Sequence, residues 1–179
     1  VFEGFMNKLA ERIDRLANIK IGKIDIKNNM KAQRLLKALY LPHIALFVHG
    51  VYKQYEGNIE EEAIYKWIDS IVTERPNIIK ITTKAERKEY EANEMAVGVK
   101  YADSDANAEN VLNALSKLYP KVKFYRLMKD AASGIKTPFE MTVVRKFDEG
   151  DKSLSGDNMP VAMAVQNFFD MFKNPYVLT

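Results

Sequence analysis

The sequence predicts an α/β fold of two tandem domains, the first lacking its opening strands. Two observations carry this expectation. Short apolar strands alternate with amphipathic helical stripes along the whole of the 179 residues, the pattern of helices covering a sheet. A module of strand, glycine turn, short strand, glycine and aromatic-bearing helix also occurs twice. The copies lie about 100 residues apart, the size of a small domain rather than of a solenoid repeat.

The elements follow in order. Phe2, Phe5, Met6, Leu9, Ile13 and Leu16 recur at steps of three and four, so the chain opens inside an amphipathic helix. Ile19–Ile26 reads as a strand whose isoleucines serve both faces, as in an interior strand covered by helices. Asn28 or Asn29 can cap the next helix, with a stripe of Ala32, Leu35, Leu36 and Leu39 and a stop at Pro42. Ile44–Val48 is a strand, His49-Gly50 a turn, Val51–Tyr55 its partner, and Gly57 closes the hairpin. Asn58 and Glu61 have capping-box spacing ahead of a helix bearing Ile64, Trp67, Ile68 and Ile71.

After Thr73-Glu74-Arg75-Pro76 the order restarts. Strand Asn77–Thr82, helix Thr83–Asn93, strand Met95–Ala102 and a helix from Asp103 to Leu118 lead to strand Lys121–Met128. A loop with Gly134, strand Phe139–Lys146, a turn at Asp148-Glu149-Gly150, a short strand ending at Gly156 and a helix over 160–173 complete the second copy. The expected domains are residues 1–75, 76–174, and the first strand of a third at 175–179. The first copy lacks two strands that the second has. Its remaining strands would leave backbone groups unpaired, each costing roughly 1–3 kcal/mol if buried, so something else is expected to complete this sheet, strands preceding Val1 or a partner chain.

Composition narrows the function. A net charge of +3 from 27 basic and 24 acidic residues argues against a nucleic-acid surface and against a strongly acidic calcium store. No apolar run reaches the roughly 20 residues of a membrane-spanning helix, so no membrane insertion is expected. The chain has no cysteine, which removes disulfides, thiolate metal sites and a cysteine nucleophile from it. It begins with Val, and a mature or excised piece is expected. His43 and His49, separated by about 20 Å along one strand, are too far apart to share a metal. There is no phosphate loop, HExxH or nucleophile elbow, and Glu60-Glu61-Glu62 suit a helix N-terminus without catalysis. Lys121, Lys123, Arg126 and Lys129 read as a solvated rim, and Phe168, Phe169 and Phe172 as core. Neither a cofactor, a metal site nor a catalytic residue is expected within the chain.

Leu41-Pro42-His43-Ile44, followed by Phe47, Gly50, Tyr55 and Gly57, resembles the second half of a thioredoxin domain, and Gly22-Lys23-Ile24-Asp25 is similar to that family's Lys-Val-Asp strand. Val143–Gly150, with its Lys-Phe-Asp-Glu-Gly run, and Leu154-Ser155-Gly156 resemble a redox-inactive thioredoxin-like domain of the protein disulfide isomerase family. The resemblance implies two tandem thioredoxin-like domains, a catalytic-type remnant followed by a complete non-catalytic one, in the endoplasmic reticulum lumen. It implies that Pro42 is cis and that Leu41, Pro42 and His43 bind unfolded polypeptide, Leu41 through its backbone. It implies a supporting role for Lys23, the alternative being a solvated lysine. The family's Cys-x-x-Cys aligns just before Val1, so thiol–disulfide exchange depends on such a pair preceding this segment. Asn58 stands where catalytic members usually carry Arg, which argues against efficient oxidase or isomerase chemistry. A non-catalytic scaffold within a larger assembly is the alternative.

Overall fold

A computed structural model describes residues 2–16, 19–92, 95–145 and 150–173. The chain separates into two compact units, Val1–Leu46 with Lys53–Glu74, and Phe47–Tyr52 with Arg75–Thr179.

In the first unit, α1 (Phe2–Ile13) packs on α3 (Glu61–Thr73). Leu9 and Ile13, four residues apart on one helix face, meet Ile64 and Ile68, spaced the same way on the other. Arg12 fixes the pair at its rim, donating to Glu61 at 3.0 Å and Glu62 at 2.9 Å while lying over the Tyr65 ring. These carboxylates pull the Arg12 pKa upward, and Arg12 in turn lowers that of Glu62. The expected Asn58–Glu61 capping box does not form: α3 starts after Glu60, which makes no side-chain cap. The Asn58 carbonyl instead accepts from Tyr55 Oη at 2.8 Å and from the Glu60 amide. The Tyr55 ring occupies the space a side chain at Gly57 would need and packs against Trp67.

Two expectations for this unit are corrected. Ile19–Ile26 is not a strand; Ile21 and Ile24 are exposed, and no strand among the described residues pairs with the segment. Alternating isoleucines supply two apolar faces, but without a neighbouring ladder they cannot make a strand. The next helix, α2, spans only Met30–Leu35. Asn29 caps its start by accepting from the Ala32 amide at 3.1 Å. Its end is set by Lys37 at φ 49°, with Lys37 N–H on Arg34 O and Ala38 N–H on Gln33 O. This left-handed closure satisfies the last carbonyls and turns the chain away well before Pro42. Leu39 is thereby thrown outside the helix.

Strands β1 (Ala45–Val48) and β2 (Val51–Gln54) form a two-stranded sheet. Their turn has positive φ at both His49 and Gly50, the twist that joins adjacent antiparallel strands in two residues.

The second unit is a five-stranded sheet made of β3 (Ile78–Ile81), β4 (Met95–Lys100), β5 (Lys123–Leu127), β6 (Phe139–Arg145) and β7 (Lys152–Gly156). Their spatial order is β3-β5-β4-β6-β7, the first three parallel and the last two antiparallel to their neighbours. The parallel pairs need crossovers, supplied by α4 (Lys84–Glu91) and α5 (Ala106–Leu118). Thr83 and Glu86 close α4 with a reciprocal capping box, and Asp105 caps α5, so this helix starts three residues after the expected Asp103.

Side chains alternate across β5, and both faces are covered. Phe124 points to α6 (Ala162–Phe172), 5.8 Å from the Phe169 ring, whereas Tyr125 meets Tyr90 of α4 at 5.9 Å. Phe169 is wholly buried, which contributes about 1.5–3 kcal/mol; Phe168 and Phe172 are half-buried and pack ring to ring. Arg126 is not part of a solvated rim. It is buried beneath the Tyr101 ring, 4.0 Å from its centroid, and donates to Asp103. A guanidinium stacked on an aromatic ring and paired at its end can be buried within the sheet, here on β5 between β3 and β4. The Lys-Phe-Asp-Glu stretch 146–149 and the expected third-domain strand 175–179 lie outside the described residues.

Candidate functional site

The loop between α2 and β1 gathers the three expected binding residues. The Leu41–Pro42 peptide is cis. Leu41 and Pro42 are exposed and His43 half-buried, immediately before β1. Neither the amide nor the carbonyl of Leu41 makes a backbone hydrogen bond among the described residues, so both remain available to an extended chain. Ile44 already belongs to the hairpin, its carbonyl accepting from the Tyr55 amide at 2.8 Å. The loop is therefore held at its C-terminal end by the sheet and at its N-terminal end by the α2 closure.

The side chains before the proline are open to solvent: Leu39 is 82% exposed, Tyr40 83% and Leu41 65%. Three consecutive large apolar residues at that exposure form one contiguous apolar patch rather than scattered surface hydrophobes. Only the ending of α2 could have revealed this, because the periodicity assigns Leu39 to its buried stripe. His43 is different. Its Nε2 is buried with no hydrogen-bond partner among the described residues, and burial lowers its pKa, keeping the imidazole neutral near pH 7. It can offer a fixed ring surface to a bound chain without introducing charge.

Lys23 is exposed on the irregular segment that replaces the expected strand. Among the described residues no group of three His, Asp or Glu side chains is placed to hold a metal ion. No helix among them is long and apolar enough to cross a membrane.

No family model and no curated protein matches the chain. Solved structures do. Human ERp44 in its zinc-bound form shares 11% identity over 95% of this chain and 50% of that one, with a TM-score of 0.55. Human ERp44 form II shares 14% over 98% and 48%, with a TM-score of 0.56. The first two thioredoxin domains of Naumovozyma dairenensis Eps1p share 16% over 99% and 84%, with a TM-score of 0.40. The chain thus spans about half the length of the ERp44 chains it matches. At such identities the likeness is one of fold: the chain is a mixed α/β protein of thioredoxin-like architecture.

Proposed function

We propose that this chain belongs to a protein-disulfide-isomerase-like protein of the endoplasmic reticulum lumen and that its own contribution is to hold extended or unfolded polypeptide. The observation that carries the reading is the loop at Leu41: a backbone amide and carbonyl without backbone partners, next to the exposed side chains of Leu39, Tyr40 and Leu41. A bound strand would pair with Leu41 and rest its apolar side chains on this run, with His43 and Pro42 forming the floor. Lys23 is assigned no more than a supporting place at the edge. The ERp44 fold likeness supports the reading. Thiol–disulfide exchange is outside the reach of these residues, which include no cysteine; in a longer protein it would require a Cys-x-x-Cys elsewhere.

The test is amide-shift mapping with an unfolded reporter peptide. Perturbations centred on Leu41, His43 and Ile44, and at least a tenfold affinity loss in Leu39→Asp/Leu41→Asp (about 1.4 kcal/mol), are expected. Shifts clustered away from residues 39–44 would sink the proposal.

A second reading is favoured by the β1–β2 sheet, which has only two strands among the described residues: a scaffold whose β1 edge accepts a strand from one fixed partner chain. Binding to unrelated unfolded peptides with similar affinity separates the first reading from this one.

A further inference from the structure

The surface around the proline loop carries a charge the whole chain does not. Residues 19–43 contain Lys20, Lys23, Lys27, Lys31, Arg34 and Lys37 against the single acid Asp25, a net of +5 in a chain whose total is +3. All six cations are exposed. Lys20, Lys27, Lys31, Arg34 and Lys37 enter no ion pair among the described residues. Asp25 is engaged locally, accepting from the Lys27 amide at 3.0 Å and from Asn28 Nδ2 at 2.5 Å. The same stretch exposes Ile24, Met30, Leu35, Leu39, Tyr40 and Leu41. Cationic and apolar side chains are therefore interleaved on one segment, with six cations to a single acid.

From this charge complementarity we infer that the surface selects acidic polypeptide segments carrying aliphatic anchors. The inference rests on the reading that the Leu41 loop takes polypeptide, and adds which polypeptide it prefers. Carboxylates along the ligand would meet the lysines of 20–37 while its aliphatic side chains cover Leu39–Leu41. A lipid surface offers anionic groups but no backbone strand for Leu41, which is why a peptide is the favoured occupant. The pairs are solvent-exposed and individually weak, so selectivity comes from several acting together and is sensitive to salt.

The experiment measures binding of the chain to three labelled peptides with identical leucine positions and Glu, Gln or Lys between them. In low salt the Glu peptide should bind about tenfold more tightly than the Gln peptide and the Lys peptide least tightly, with the differences shrinking at high salt. The triple variant Lys27→Gln/Lys31→Gln/Arg34→Gln, folded by circular dichroism, should erase the Glu advantage. Equal binding of the Glu and Gln peptides would overturn the charge selectivity while leaving polypeptide binding intact. No binding by any peptide would overturn both. Phosphatidylserine vesicles provide the last arm: if they bind the chain and displace the Glu peptide completely, the surface is a membrane-facing one and the inference fails.

Discussion

Gln166 holds the backbone of Tyr52 from both sides: the Tyr52 amide donates to Gln166 Oε1 at 2.7 Å, and Gln166 Nε2 donates to the Tyr52 carbonyl. Both residues lie in the second compact unit and both are buried. The primary amide thus does for the Tyr52 backbone what a neighbouring strand would do, satisfying one donor and one acceptor together.

Replacing this amide by a side chain of similar length without its polar ends removes both bonds. Gln166→Met should lose about 1–3 kcal/mol in urea unfolding and should speed hydrogen exchange at the Tyr52 amide. An unchanged exchange rate at Tyr52 would show that the pairing contributes nothing.

Gly98 lies in the middle of β4, directly under the buried Tyr125 ring; a Cβ there would come within 2.5 Å of the ring edge. Tyr125 is held by Glu91, on which its hydroxyl donates at 3.2 Å, so it cannot swing clear without losing that bond. Gly98→Ala should destabilise the second unit by about 1–3 kcal/mol, and Gly98→Val by more. Thermal or urea unfolding followed by far-ultraviolet circular dichroism reads this directly.

Burial lowers the His43 pKa below its usual 6.5. The unfolded chain then binds the proton more readily than the folded one, so stability is lost as pH falls from above 6.5 through the folded pKa. Titration of the His43 ring by NMR should give a midpoint below 6.5, and His43→Phe should flatten the acid side of the stability profile. A midpoint at or above 6.5 contradicts the buried, unpartnered Nε2.

Tyr119 and Tyr125 behave in the opposite direction. Burial first, then the negative charge of Asp170 beside Tyr119 and of Glu91 beside Tyr125, raises both phenols well above 10. Their contribution is complete below pH 10 and is lost as pH rises toward their folded values, because only the unfolded chain releases these protons. Alkaline titration at 295 nm should show two tyrosines ionising only with unfolding. Tyr119→Phe should remove one of them.

Much of this architecture could be read in the residues. The Leu9/Ile13 and Ile64/Ile68 spacings locate the packed helix faces, His49-Gly50 marks the hairpin turn, and the helix expected from Thr83 does begin there, with Thr83 as its N-cap. Each signal is confined to a few neighbouring positions, where periodicity, capping and turn chemistry operate. Even the loop at Leu41–His43 was visible as a motif, and the cis geometry expected at Pro42 is present.

Other features depended on groups far away along the chain. Ile19–Ile26 has the residues of a strand, yet a strand exists only when another backbone lies alongside. Arg126 sits in a basic stretch but is buried because Tyr101 and Asp103 meet it across the end of the sheet. The exposure of Leu39 and Tyr40 follows from Lys37 adopting a left-handed conformation that closes α2 early. By itself the sequence determined which segments can present an apolar face and where the chain can turn. Tertiary structure alone decided which of those faces are covered, because burial and strand pairing are properties of two segments brought together.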